Sequence, residues 1–223
     1  IIEKQDFLDA VDRIIGGLEK KNKIITPKEK RTIAYHEAGH ASVSWLLEHA
    51  NPLVKVTIVP RGQALGAAWY LPEERQITTK AQLLDQMISL LGGRAAEEIV
   101  FGEVSTGALN DLERVTKQAY AMVVYYGLDK EIGNISFYDS SGQSEYGFQK
   151  PFSDKTAEKI DAQIRSMVEE AYNKAKTILI ENREKLDALA TILVEREVIF
   201  REDVENIYGK RPWDEEKTDE QQA

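Results

Sequence analysis

The 223-residue sequence predicts a mainly α-helical fold with a small β-hairpin or sheet. Apolar residues recur three and four positions apart through several long segments, which is the pattern of amphipathic helices. Two of these segments begin with a capping box, at Thr26 and at Thr79. Two short segments near residue 60 are instead rich in β-branched or aromatic residues and end at Pro or Gly, as strands do.

The first predicted helix begins after Thr26, because Pro27 occupies the first helical position and Glu29 can complete the capping box. It ends before Asn51 and Pro52, since proline disfavours helical geometry in the residue that precedes it.

Two strands are predicted to follow this helix, at residues 53–59 and 65–71. Gly66 lies inside the second strand, where a glycine often marks the close approach of another chain segment. This strand is either an edge that pairs with an extended polypeptide or one half of a plain hairpin packed on the first helix. The sequence supports both interpretations about equally.

The rest of the chain continues the helical pattern. Further helices are predicted from residue 80, from Asp111 to Tyr126, from Ser153 to about Asn182, at 184–195 and at 201–208. A short strand is predicted at 135–138 and a short extended link at 198–200, with a polar loop at 139–147. Residues 6–15 are a predicted short helix, and 213–223 a charged, disordered tail.

The first of these helices carries a cluster of potential metal ligands, His36-Glu37-Ala38-Gly39-His40. Each helical residue advances by about 100°, so His36 and His40 lie about 40° apart on one face and can bind one metal ion together. Two histidines with a glutamate after the first are typical of zinc peptidases, in which the glutamate acts as general base. The pattern therefore predicts His36 and His40 as zinc ligands and Glu37 as the catalytic base.

A catalytic zinc needs a third protein ligand, which here must be a carboxylate. The chain has no cysteine, and His49 lies about 13 Å beyond His40 along the same predicted helix. The candidates are Glu97, Glu98, Asp111 and, more distantly, Glu103. Asp111 stands where a loop enters a helix, with Asn110 as a candidate N-cap. The residues alone support Asp111 and the neighbouring Glu97 and Glu98 equally as the third ligand.

Composition and charge restrict the possible partners. The hydrophobic fraction of 42% and the charged fraction of 30% are typical of globular proteins. The net charge of −9, without a cluster of Lys and Arg, argues against nucleic acid or an anionic membrane surface as partner. No apolar run approaches the ~20 residues of a membrane-spanning helix, so the chain itself is expected to be soluble.

Four ordered motifs resemble the peptidase domain of the FtsH-type AAA+ zinc metalloproteases. They are Ala34-Tyr35-His36-Glu37-Ala38-Gly39-His40-Ala41, Val59-Pro60-Arg61-Gly62, Gly92-Gly93-Arg94-Ala95-Ala96-Glu97 and Ser105-Thr106-Gly107-Ala108-Leu109-Asn110-Asp111-Leu112. The resemblance covers nearly the whole chain, from about residue 6 to residue 208. It implies that Asp111 is the third zinc ligand, that the domain forms a hexameric ring, and that unfolded or membrane-extracted polypeptides are its substrates.

The resemblance also implies a division of the chain. Residues 1–25 resemble the end of the family's ATPase module, 26–212 the zinc peptidase domain, and 213–223 a disordered acidic tail. No Gly-x-x-x-x-Gly-Lys-Ser/Thr phosphate loop occurs, so ATP and Mg²⁺ binding and membrane anchoring are expected of segments outside this sequence. The expected location is the cytoplasmic face of a membrane, the bacterial inner membrane rather than that of an organelle.

A non-catalytic hexamerisation scaffold, with a structural metal site or a vestigial one, is the main alternative function. The long C-terminal helices would then make the subunit contacts. A structural zinc would have four protein ligands, and a scaffold would not need a base at Glu37. A non-proteolytic hydrolase that uses the same residues is a weaker alternative.

Overall fold

The computed structural model describes residues 25–60, 65–71, 76–138, 151–211 and 213. Within these residues the chain forms six α-helices and one three-stranded sheet, which confirms the predicted mainly α-helical fold. The helices are α1 (Pro27–Trp45), α2 (Lys80–Phe101), α3 (Leu109–Tyr120), α4 (Asp154–Glu181), α5 (Arg183–Arg196) and α6 (Arg201–Tyr208). The strands are β1 (Leu53–Thr57), β2 (Ala67–Tyr70) and β3 (Val198–Phe200).

Helices α1 and α2 begin where their capping boxes predict. The Thr26 hydroxyl accepts a hydrogen bond from the Glu29 backbone N–H at 3.2 Å, and the Glu29 carboxylate accepts one from the Thr26 N–H at 2.9 Å. Thr79 and Gln82 form the same arrangement before α2. Both boxes satisfy backbone donors that the first turn of a helix leaves unpaired, so each start is encoded by residues within one turn.

Helices α1 and α2 pack so closely that their backbones touch. A Cβ atom placed on Gly39 would lie 2.4 Å from the Gly92 carbonyl oxygen, and one on Gly92 would lie 2.7 Å from the Gly39 carbonyl oxygen. Neither position can carry a side chain at this separation. Every residue of α1 from Ile33 to Trp45 is buried, so α1 is the central helix of the core.

The sheet has the order β2-β1-β3, and both strand pairs are antiparallel. Val56 of β1 faces Ala68 of β2 on one side and Ile199 of β3 on the other. Val56 and Ile199 are fully buried, so one face of the sheet closes the core beside α1. The predicted extended segment at 198–200 is therefore the third strand, and it extends the predicted hairpin into a sheet.

The strand predicted at 135–138 is wrong. These residues make no ladder: the Ile135 N–H donates to the Gly133 carbonyl, and the Phe137 N–H donates to the Val124 carbonyl, both at 2.9 Å. Apolar residues are not enough to make a strand where no strand of the described residues lies alongside.

Several element boundaries also differ from the prediction. Helix α1 ends at Trp45, so His49 lies beyond the helix. Helix α3 begins two residues earlier than predicted, after a 3-10 turn at Thr106–Ala108. Ser105 rather than Asn110 caps this segment, because its hydroxyl accepts the Gly107 N–H at 3.1 Å. Both hairpin strands are shorter than predicted.

The predictions for residues 6–15, 139–147 and 214–223 lie outside the described residues. The long helix predicted from Ser153 is confirmed as α4, and the Ser153 hydroxyl accepts the Thr156 N–H at its start. Among the residues that the structure describes, no helix has both the length and the apolar character required to cross a membrane.

Substituting Gly39 by Ala should destabilise the fold. In an exposed helix this change would stabilise by about 1 kcal/mol, but here the added methyl would overlap the Gly92 carbonyl. Overpacking of this kind costs about 1–3 kcal/mol, so we expect a lower thermal midpoint by circular dichroism of the metal-free protein. Ser166→Ala, on the exposed face of α4, is the control and should leave the midpoint nearly unchanged. A Gly39→Ala midpoint at or above the wild-type value would contradict the backbone contact.

Candidate metal centre

Helix α1 supplies two imidazoles to the site. His36 and His40 are one turn apart, and each is only 8% exposed. Their Nε2 atoms lie 3.0 Å apart. The two side chains therefore share one helix face, as their spacing predicts.

Asp111 completes a group of three potential ligands. It lies in the first turn of α3, and its Oδ2 atom is 3.4 Å from Nε2 of His36 and 3.4 Å from Nε2 of His40. In the described part of the chain this is the one group of His, Asp and Glu side chains that could hold a metal ion, with all ligand atoms within 4.8 Å of one another. Neither Glu103 nor His49 belongs to it.

The two neighbouring glutamates have other partners. Glu97 lies behind His36, with its Oε1 atom 2.7 Å from His36 Nδ1. Glu98 points toward α4 instead, where its carboxylate accepts hydrogen bonds from Lys176 and Tyr172. Of the three main candidates for the third ligand, only Asp111 therefore reaches the Nε2 atoms.

Hydrogen bonds at Nδ1 set which nitrogen of each imidazole faces the group. His40 Nδ1 lies 2.9 Å from the Ser89 carbonyl oxygen, which can only accept, so this nitrogen carries the proton. The Glu97 carboxylate makes the equivalent contact with Nδ1 of His36. If both imidazoles are neutral, each presents an unprotonated Nε2, and two lone pairs face each other at 3.0 Å. That contact is repulsive, and either a proton or a metal ion shared by the group relieves it.

The separations of the three ligand atoms fit zinc. Zinc binds nitrogen and oxygen at about 2.0–2.2 Å in a tetrahedron, so neighbouring ligand atoms lie about 3.3 Å apart. The observed separations of 3.0, 3.4 and 3.4 Å correspond to one face of such a tetrahedron. The described residues supply three ligands and no fourth, which is typical of catalytic rather than structural zinc sites.

The charges around the group also favour a cation. Burial lowers the pKa of His36, but hydrogen bonds to Asp111 and Glu97 outweigh it and raise the pKa to about 10. Burial raises the pKa of Asp111, but contacts with the two imidazoles outweigh it and hold the pKa well below its usual range. The cluster thus takes up positive charge readily, and a metal ion can replace the proton.

One face of α2 forms the wall behind the imidazoles. Ser89, Gly93 and Glu97 are four residues apart and so lie in one row along this helix. Ser89 and Glu97 hold the two Nδ1 atoms, and Gly93 lies between them. A Cβ atom on Gly93 would lie 2.5 Å from Nε2 of His36 and 2.6 Å from Nε2 of His40. Only glycine leaves this space free for a metal ion and its ligands.

Glu37 lies beside the group without belonging to it. Burial raises the pKa of its carboxyl, and the nearby imidazoles and the Ala68 backbone amide oppose this only in part. The residue is 7% exposed, and Gly66 lies directly against its side chain. A buried carboxyl with a raised pKa beside a cation site is suited to accept a proton from a reacting water.

The geometry agrees with a match to a known family. Residues 23–207 match the model of peptidase family M41. The chain belongs to this family. The FtsH-type peptidase resemblance of its motifs is thereby confirmed.

Several relatives of this M41 chain are named as proteases. An ATP-dependent zinc metalloprotease FtsH of Parabacteroides distasonis is 64% identical over 212 residues, which are 95% of this chain and 31% of that protein. FtsH of Rhodothermus marinus is 54% identical over 214 residues, again 95% of this chain and 31% of the relative. The mitochondrial inner membrane m-AAA protease component AFG3L2 of Mus musculus is 46% identical over 220 residues, 99% of this chain and 27% of the relative. The chain thus spans about a third of the length of the curated relatives it matches.

Sequence reasoning could not assign the groups that orient the candidate ligands. The Ser89 carbonyl has no side-chain signature, so no sequence pattern could have revealed it. The Gly92-Gly93 pair indicates close helix packing, but it does not show that Gly93 faces the imidazoles. The adjacent Glu97 and Glu98 are equivalent in sequence, and only the direction of each side chain separates them.

Glu97→Ala should weaken zinc binding about 10–100-fold, because His36 would lose the acceptor that orients its ring. Competition against a chromophoric chelator measures the affinity. The neighbouring Glu98→Ala is the matched control, since it removes a carboxylate whose hydrogen bonds go to α4, and it should retain the wild-type affinity. An equal loss of affinity in both variants would contradict the assigned role of Glu97.

Proposed function

We propose that this chain is the zinc endopeptidase part of a longer, membrane-anchored AAA+ protease that degrades unfolded or membrane-extracted polypeptides. The observation that carries the proposal is the triangle of ligand atoms from His36, His40 and Asp111, with the buried Glu37 carboxyl beside it. Membership of peptidase family M41 and the protease names of the relatives support it.

His36, His40 and Asp111 would each hold the zinc ion through one atom. Bound zinc supplies the Lewis acidity that activates a water and polarises a peptide carbonyl. Glu97 and the Ser89 carbonyl keep the two imidazole rings in the ligand orientation by accepting their Nδ1 protons.

Glu37 is the proposed general base. Its carboxylate would accept a proton from the attacking water and then donate it to the amine nitrogen of the leaving peptide. Burial supports this role, because a raised pKa brings the carboxyl closer to the pH at which proteins work.

The free edge of β2 would dock an extended polypeptide. In the described sheet β2 pairs with β1 alone. Directly after β2, the Leu71 N–H points toward β1 as well and donates a hydrogen bond to the Pro52 carbonyl oxygen at 2.9 Å. Gly66 brings the start of this strand against Glu37. Backbone pairing along the edge would carry the substrate past the metal group with little dependence on its side chains. This supports an endopeptidase of low sequence specificity.

ATP use, membrane anchoring and ring assembly would belong to the longer protein. The FtsH relatives are named as ATP-dependent, and AFG3L2 is named as a protein of the mitochondrial inner membrane. We propose a homohexamer whose ATP and Mg²⁺ bind outside this chain. Identities of 64% and 54% to the bacterial proteins, against 46% to AFG3L2, favour the cytoplasmic face of a bacterial inner membrane. The division at residues 1–25, 26–212 and 213–223 stays a prediction.

Asp111→Ala should remove the metal, because two imidazoles alone leave zinc with too few protein ligands. We expect about one zinc per wild-type chain and little in the variant, measured by mass spectrometry of the metal in proteins prepared side by side without chelator. Full zinc in both would move the third-ligand role to Glu97. No zinc in either would favour the scaffold function.

Glu37→Gln should keep the zinc and abolish cleavage, since the amide retains the size of the side chain but cannot accept the proton. Zinc content and cleavage of an unfolded, fluorescently labelled casein are measured on the same preparation. A zinc content of the variant equal to that of the wild type is the internal control, because it shows that the site is intact. Retained proteolysis in Glu37→Gln would contradict the proposed role of Glu37 as general base.

A further inference from the structure

Gly66 lies directly against the side chain of the proposed base. A Cβ atom on Gly66 would lie 2.8 Å from Cγ of Glu37, 2.8 Å from Oε1 of Glu37 and 2.9 Å from the Thr57 carbonyl oxygen. All three distances are well below ordinary van der Waals separations of about 3.5–4.0 Å. Even a methyl group at this position would therefore displace Glu37, Thr57 or both.

The strand that follows Gly66 is held along helix α1. The Ser44 hydroxyl donates a hydrogen bond to the Tyr70 hydroxyl at 3.2 Å, at the far end of β2. Gly66 and Tyr70 are about 13 Å apart along an extended strand, and Glu37 and Ser44 are about 10 Å apart along the helix. Strand and helix thus run side by side with a contact at each end, so Gly66 stays at Glu37.

We propose that Gly66 is a positioning residue for the general base: its missing side chain leaves the space in which the edge strand holds the Glu37 carboxylate beside the metal group. This inference rests on the proposed peptidase function. It assigns a second role to the segment that would dock the polypeptide, because the same backbone also sets where the base lies.

The contacts of an added methyl group would have different consequences. The Thr57 carbonyl belongs to β1, whose residue 57 pairs with Ala67, so its displacement would loosen the sheet. Cγ lies in the middle of the buried Glu37 side chain, so relief there requires another rotamer and moves the carboxylate. A displacement of about 1 Å at a catalytic group costs on the order of 100-fold in rate.

The first test compares two glycine substitutions in the full 223-residue chain. Gly66→Ala should lower kcat for casein cleavage on the order of 100-fold, with KM and zinc content close to the wild type. Gly93→Ala is the matched variant, and it should lose zinc because its methyl would meet both ligand Nε2 atoms. An unchanged kcat in Gly66→Ala, or a loss of zinc from it, would overturn the positioning role.

A stability cycle gives a readout that is independent of catalysis. Thermal midpoints are measured for the metal-free wild type, Gly66→Ala, Glu37→Ala and the double variant. Contact between Gly66 and Glu37 means that Gly66→Ala lowers the midpoint less in the Glu37→Ala background than in the wild type. Equal decreases of the midpoint in the two backgrounds would mean that the methyl contacts Thr57 alone, and they would refute the positioning role.

Failure of the inference differs from failure of the proposed function. If the wild type binds zinc but does not cleave casein, the peptidase function fails, and the stability cycle still decides whether Gly66 holds Glu37. If the wild type cleaves, Glu37→Gln does not, and Gly66→Ala cleaves at the wild-type rate, the function stands and the positioning role is refuted.

Discussion

Helices α1 and α2 approach each other until their backbones touch at Gly39 and Gly92, and the metal group forms only at that separation. At this distance the row of Ser89, Gly93 and Glu97 on α2 lies against the two imidazoles of α1, and Ser89 and Glu97 accept hydrogen bonds from their Nδ1 atoms. A side chain at either contact glycine would push the helices apart, and it would lengthen both hydrogen bonds that orient the imidazoles. The small residues of α2 thus act on the chemistry through distance rather than through any group of their own.

The same packing concentrates negative charge around the imidazoles. Glu97, Asp111 and Glu37 all approach them, and burying these carboxylates without a positive partner would be costly. A bound cation offsets that cost, which is the physical reason why the cluster takes up positive charge. Glu97 also holds the segment that leads to Asp111, because its second carboxylate oxygen accepts a hydrogen bond from the Ser105 N–H at 2.6 Å. One carboxylate therefore connects the helix of the histidines to the segment that brings Asp111, the third candidate ligand.

The small sheet contributes by closing one side of the site. Strand β1 is its centre, and the fully buried Val56 anchors it to the core. Strand β2 is left at the edge, with Gly66 against Glu37 at one end and Tyr70 on Ser44 at the other. The backbone available to an extended polypeptide and the buried carboxyl of an M41 peptidase are thereby held on adjacent elements.

Several features follow from the sequence alone because they depend on residues within one or two helical turns. The capping boxes set the starts of α1 and α2, and the spacing of His36 and His40 puts both imidazoles on one face. The choice among Glu97, Glu98 and Asp111 depends instead on distances between helices, which spacing along the chain does not contain. Packing of α1 on α2 puts Glu97 behind a ligand, packing of α4 draws Glu98 away, and the turn after Ser105 brings Asp111 to the Nε2 atoms. Similarly, residues 135–138 and 198–200 both have extended-segment character, but only the second lies beside β1 and becomes a strand. Local hydrogen bonds and helical periodicity therefore determined the elements and placed two of the candidate ligands, whereas contacts between distant segments placed the third candidate ligand and formed the sheet.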